Sequence, residues 1–356
     1  MTNRKFCVFC GAEPKTHSRE HIIPRWLIEL TGDPKRKAIF GPFWNTAKRK
    51  FEMHTFAFDQ FTLPSCAACN MEFSKLEKST KQIIESILEV KPLDSRDLLV
   101  LLSWLDKVRV GLWLAYYHVQ KNVWQIVPQF FVKSRMDMSD RMVLIYRSDL
   151  RDPRLRVEGH TVPAFQYQPT CFVLSVNEFI LFNISTSFLL SERMGLPYAH
   201  RLAYTNTPQI ETTLARGRNR IVYPLVRFKY DHRCAEIFQP IFTSLVGDAY
   251  YQNEHVQSIS LDHSKGVGRV FYYDKPFVQE YPNSKSISWV PKWTWRDDAL
   301  WKVIRKQWLE IQLHLFEYGP CATKISLDHV DKPKKQLVQS QVQTSKKISG
   351  MFLDSI

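Results

Sequence analysis

The stretch CVFCGAEPKTHSREHIIPRWL (7–27), read together with SCAACN (65–70), decides how the first part of this chain folds. Two Cys-x-x-Cys pairs, Cys7/Cys10 and Cys66/Cys69, flank a gap of 55 residues. Two cysteines at this spacing can put both sulfurs on one metal ion when the backbone turns tightly, and Gly11 suits such a turn. Two such turns give four thiolates, the tetrahedral set that Zn²⁺ favours in a closed structural site. A metal held this way contributes folding free energy to a segment with few core residues. The gap is too long for a simple zinc ribbon, so a substantial insert lies between the pairs. Cys171, Cys234 and Cys321 are isolated and read as core or free thiols.

The insert carries the chemically reactive residue types. Glu20-His21-Ile22-Ile23-Pro24 reads as a strand end: β-branched residues, then a proline that stops pairing. Adjacent strand residues face opposite sides, so Glu20 and His21 need not touch. Asn70 follows Cys69 of the second pair, at the start of a helix expected to reach about residue 89. Its amide either caps that helix or offers a hard oxygen to a divalent cation such as Mg²⁺. Asn70, Ser74, Glu77 and Lys81 share one polar helical face, while Phe73 and Leu76 belong to the core side.

As a combination, Cys-x-x-Cys, Glu-His-Ile-Ile-Pro and Cys-x-x-Cys-Asn resembles the HNH endonucleases, which have a ββα-metal, treble-clef fold. It is closest in pattern to the zinc-bearing branch that includes phage recombination endonuclease VII. The resemblance covers about residues 5–82. It implies that His21 is the general base that activates water against a phosphodiester. It implies that Glu20 and Asn70 hold one catalytic cation, Mg²⁺ or Mn²⁺, and that the four cysteines hold a structural Zn²⁺. The chain departs from the family twice. Glu20 stands where Asp is common, and the family's middle Asn is not evident before the second cysteine pair, Asn45 being the nearest candidate.

Composition adds a partner class. The net charge is +14, which favours a polyanion such as nucleic acid. Lys35, Arg36, Lys37, Lys48, Arg49 and Lys50 lie inside the insert, beside the proposed site, and read as phosphate contacts. DNA is the expected partner, and RNA fits the same chemistry. The most apolar stretch, residues 98–119, contains Asp106, Lys107 and Arg109, which argues against a membrane span. With no secretory signal in view, paired cysteines point to metal binding in a reducing cytoplasm rather than to disulfides.

The expected class is α+β: a treble-clef nuclease domain over 1–90, a helical connector over 91–125, a mixed α/β domain over 126–330 and a polar, disordered tail over 331–356. Hydrophobic residues make up 44% of the chain, enough for a real core. Helices are expected at about 95–120 and 295–319, the latter stopped by Gly319-Pro320. Strands are expected at 123–132, 141–148, 171–176, 179–184 and 269–274, with a possible helix near 234–247. The C-terminal domain carries no motif that names a function; binding a regulatory partner or a second copy of the chain, sensing a signal and positioning DNA are its open roles. The competing reading of the whole is a non-catalytic zinc module that binds nucleic acid or protein.

Overall fold

A computed structural model describes residues 6–14, 18–45, 48–57, 62–119, 130–136, 139–160, 165, 169–186, 198–204, 210–215, 235–239, 270–274, 277–281, 295–322, 340, 343 and 347. It is a mixed α+β structure.

The N-terminal part is built on a short antiparallel pair, β1 (Ser18–His21) and β4 (Thr62–Ser65), with Glu20 opposite Leu63 and His21 opposite Thr62. Between them lie α1 (Arg25–Leu30) and a hairpin of β2 (Lys37–Asn45) and β3 (Lys50–Ala57). This is the expected insert. Strand β1 ends at His21, and Pro24 is the N-cap of α1. Proline has no N–H for a strand ladder but loses nothing at a helix start. Cys66 is the N-cap of α2 (Ala67–Leu88), which buries Cys69, Phe73, Thr80, Ile83, Ile84 and Ile87.

Helix α3 (Ser95–Val119) follows and packs on both α2 and the sheet. One of its stripes faces the N-terminal part. Trp104 lies 6.1 Å from Trp26 of α1, Lys107 bonds Glu20, and Gly111 lets the helix approach Ile22, where an added Cβ would meet the side chain at 3.2 Å. Spacings of three and four put these residues on one face. The expected strand at 123–132 lies mostly outside the described residues. Its last residue, Val132, opens α4 (Val132–Arg135), whose first two N–H groups bond the carbonyls of Val8 and Phe9.

The C-terminal part centres on a seven-stranded antiparallel sheet. Its strands are β5 (Asp140–Arg147), β6 (Leu155–Glu158), β7 (Cys171–Val176), β8 (Phe179–Thr186), then, beyond a separate hairpin of β9 (Tyr198–Tyr204) and β10 (Ile210–Ala215), β11 (Ala235–Gln239), β12 (Phe271–Asp274) and β13 (Phe277–Glu280). The order is β13-β12-β11-β5-β8-β7-β6. Helix α5 (Asp297–Ala322) runs past Gly319-Pro320, the expected stop. Pro320 falls in its last turn, where it removes one backbone bond near an end that frays anyway. The expected helix near 234–247 is corrected over its described part: Ala235–Gln239 is strand β11, paired with both β5 and β12. The tail beyond 330 lies almost wholly outside the described residues.

The sheet is covered on both sides. Val143 pairs with Asn183, so their side chains share one face with Arg141. On that face Arg109 of α3 donates to Asn183 Oδ1 at 2.7 Å, and Arg141 reaches Asp106 of α3 at 3.2 Å. On the other face Tyr146 donates to Gln307 of α5 at 3.0 Å. Strands β7 and β8 are therefore buried along their whole length, which explains their unbroken apolar runs. The buried core is continuous from Phe6 through Leu101 and Ile145 to Trp308.

Candidate functional site

The four cysteines meet. The sulfurs of Cys7, Cys10, Cys66 and Cys69 lie within 4.8 Å of one another and form a group that can hold a metal ion such as zinc. Cys10 and Cys66 are 3.9 Å apart at Sγ, close to the edge of about 3.8 Å for a tetrahedron with Zn–S bonds of about 2.3 Å. The first turn closes through Gly11 N–H to Cys7 O at 2.8 Å, with Gly11 at φ +77. The Cys66 N–H donates to Cys7 Sγ at 3.2 Å. Burial alone pushes the Cys7 thiol up, but the Cys66, Cys10 and Phe9 N–H groups outweigh it and hold it below the usual thiol value. Burial, then the neighbouring thiols, push Cys66 up to about 11 and Cys69 up to about 12. As thiolates, four sulfurs this close would need a cation between them.

That cluster joins the turn at Cys7–Cys10 to the start of α2. Asn70 Nδ2 donates to Ser18 Oγ at 2.8 Å, so the helix start is tied to the strand two residues before Glu20. Ser18 and Glu20 share a strand face; His21 lies on the alternate face, partly exposed, at the last paired position. Asn70, through Ser18, and Glu20 therefore belong to one side of the strand, and His21 to its rim. Asn45 stands opposite Lys50 near the hairpin turn.

Glu20 is buried, at 6% exposure, and its carboxylate is in contact with a cationic side chain. Lys107 Nζ of α3 bonds Glu20 Oε1 at 2.5 Å and also bonds Glu77 of α2. Burial pushes the Glu20 carboxyl up; Lys107 opposes this, Glu77 adds to it, and the value settles at about 7. Burial works against the Lys107 ammonium, but Glu77 and Glu20 outweigh it and hold its value above the usual one. Of the polar stripe on α2, only Glu77 reaches this cluster in the bonds described. Ser74 donates to Met71 O on its own helix, and Lys81 pairs with Glu85 at 3.8 Å.

A carboxylate and an amide oxygen are hard donors of the kind that divalent cations take. The Lys107 ammonium already bonds one oxygen of the Glu20 carboxylate. In the sequence Lys107 stands out only as a charge that interrupts an apolar stretch. The signal was there. A lysine inside an otherwise apolar, buried helix must have an acidic partner.

The basic residues divide. Arg36 turns inward, donating to Ile28 O at 3.1 Å and to Thr31 Oγ1 at 2.7 Å, which caps the end of α1. Lys35 is exposed, and the Lys37 backbone opens β2. Lys48, Arg49 and Lys50 are exposed at the turn of the β2–β3 hairpin. Lys48 pairs with Glu52 at 2.9 Å, an exposed contact of little energetic weight.

No family model, curated protein or solved structure matches this chain. Among the described residues, no helix is long and apolar enough to cross a membrane.

Proposed function

We propose that the N-terminal part is a zinc-clasped ββα-metal module of the HNH endonuclease type, which hydrolyses phosphodiester bonds in DNA. The observation that carries this reading is the four-cysteine cluster at the start of α2, beside which Asn70, in the first turn of that helix, bonds Ser18 of the strand bearing Glu20 and His21. His21 takes a proton from water as that water attacks phosphorus. A new P–O bond forms, the P–O bond to the leaving oxygen breaks, and that oxygen is protonated from solvent. Glu20 and Asn70 would hold Mg²⁺ or Mn²⁺, which supplies stabilisation of the charge that develops on phosphate and leaving oxygen. Zinc sets the distance between strand and helix, the preorganisation such a site needs. Lys35, Lys48, Arg49 and Lys50 contact backbone phosphates, so affinity falls with salt. A thiolate-based zinc site suits a reducing cytoplasm. The test is cleavage of plasmid DNA and of single-stranded RNA by zinc-loaded protein, with Mg²⁺, with Mn²⁺ and with neither. Cleavage of DNA that needs the added cation is the expected result. No cleavage of either polymer under any cation sinks the reading.

One observation favours a second reading. Glu20 is already neutralised by Lys107, as in a purely structural module that binds nucleic acid or protein. In that case His21→Ala leaves function unchanged while Cys66→Ser destroys it.

A further inference from the structure

Glu20, Glu77 and Lys107 come from β1, α2 and α3 and meet in the interior, with side-chain exposures of 8%, 20% and 3%. A buried ammonium is costly unless paired. Here one ammonium meets two carboxylates, so with both ionised the cluster carries one negative charge. Glu20 is also the carboxylate that the proposed cation needs. We propose that Lys107 is a resident competitor of the divalent cation: its ammonium holds Glu20 in place and moves wholly onto Glu77 when a cation takes Glu20. This rests on the reading of Glu20 and Asn70 as cation ligands given above.

The geometry suits such a handover. Both carboxylates already bond the same Nζ, so the move breaks one hydrogen bond and keeps the other. Lysine carries a compact charge on a flexible stem, which a rigid guanidinium fork does not. The charge count gives the handover a direction. Two carboxylates, one ammonium and one divalent cation sum to one positive charge. A phosphodiester brings one negative charge and restores neutrality. Cation and nucleic acid therefore bind cooperatively, each strengthening the other by the same factor. Without nucleic acid the ammonium keeps its place, and the cation binds poorly. Lys107 is thus a positioning residue that makes cation loading depend on substrate.

The test is Mn²⁺ binding to the zinc-loaded full chain, read by the loss of the free Mn²⁺ paramagnetic resonance signal. It is done with and without a short DNA duplex, on wild type, Lys107→Met and Glu77→Gln. Lys107→Met should bind Mn²⁺ at least tenfold more tightly than wild type in the absence of DNA, and DNA should no longer strengthen binding. Glu77→Gln should bind several-fold more weakly, because the ammonium then has only Glu20. A merely structural lysine predicts the reverse for Lys107→Met: two uncompensated carboxylates loosen the fold and cation affinity drops. If Lys107→Met loses zinc or its fold, Lys107→Met/Glu77→Gln takes its place and should bind at least tenfold more tightly than Glu77→Gln. Affinity unchanged or weakened by removing Lys107 overturns the proposal. Nicking by wild type together with Mn²⁺ affinity indifferent to Lys107 overturns it while leaving the endonuclease reading standing. Tighter Mn²⁺ binding without any nicking does the opposite.

Discussion

Gly11 is held by two constraints at once. Its φ of +77 closes the first cysteine turn, and a Cβ there would come within 2.1 Å of Phe131 Cε2. Gly11→Ala therefore combines left-handed backbone strain with overpacking, for a loss of about 2–4 kcal/mol in denaturant unfolding of the zinc-loaded protein. A second residue makes stability depend on pH. His160 is 3% exposed, and burial pushes it from 6.5 down to about 3. Below its ordinary value the unfolded chain takes up a proton that the folded chain refuses. Stability is therefore lost as pH falls from about 6.5 towards 3, by up to about 1.4 kcal/mol per pH unit. Urea unfolding of His160→Phe between pH 6.5 and 4 should show a shallower loss than wild type; equal slopes would contradict the assignment.

At the scale of elements, α3 is the joint of the molecule. One stripe, Trp104-Lys107-Gly111, meets the N-terminal part that carries the cysteine cluster; another, Ser103-Asp106-Arg109, meets the sheet. Asp106 lies between two buried arginines, 2.7 Å from Arg109 and 3.2 Å from Arg141. Asp106→Ala leaves both cations without that carboxylate and should cost about 3–5 kcal/mol, measured by thermal or denaturant unfolding. The β2–β3 hairpin is the element that carries the nucleic-acid prediction. If Lys48, Arg49 and Lys50 each neutralise one phosphate, replacing all three with Ala should flatten the plot of log affinity against log salt by about 3. A slope that does not change removes the hairpin from the interface.

At the scale of the whole chain, legibility followed how local the signal was. The two tight cysteine pairs were read from spacing alone, and their sulfurs converge. Helix α3 and strands β5, β7 and β8 were readable because their apolar runs are long and bounded by breakers. Strand β11 was not. AEIFQ begins with good helix formers and is a strand only because β5 and β12 lie on either side of it. In the Glu20–Lys107–Glu77 cluster the lysine itself was a signal, but its partners were hidden for the same reason, since tertiary packing brings them together and no local pattern links them. Arg36 shows the converse: it read as a phosphate contact from its basic neighbours, yet its side chain caps α1.

The core is continuous from the cysteine turns to α5, so the metal is expected to matter beyond its own module. Chelation of zinc, or Cys66→Ser, should shift unfolding of the sheet as well, followed by near-ultraviolet circular dichroism and metal content. The central claim is chemical, and one measurement meets it most directly: nicking of supercoiled plasmid in Mg²⁺ by wild type and by His21→Ala at matched zinc content. Wild type should nick, and His21→Ala should fall by about 10²-fold or more, the contribution of a general base. Equal nicking by both proteins, or none by wild type, would contradict the account.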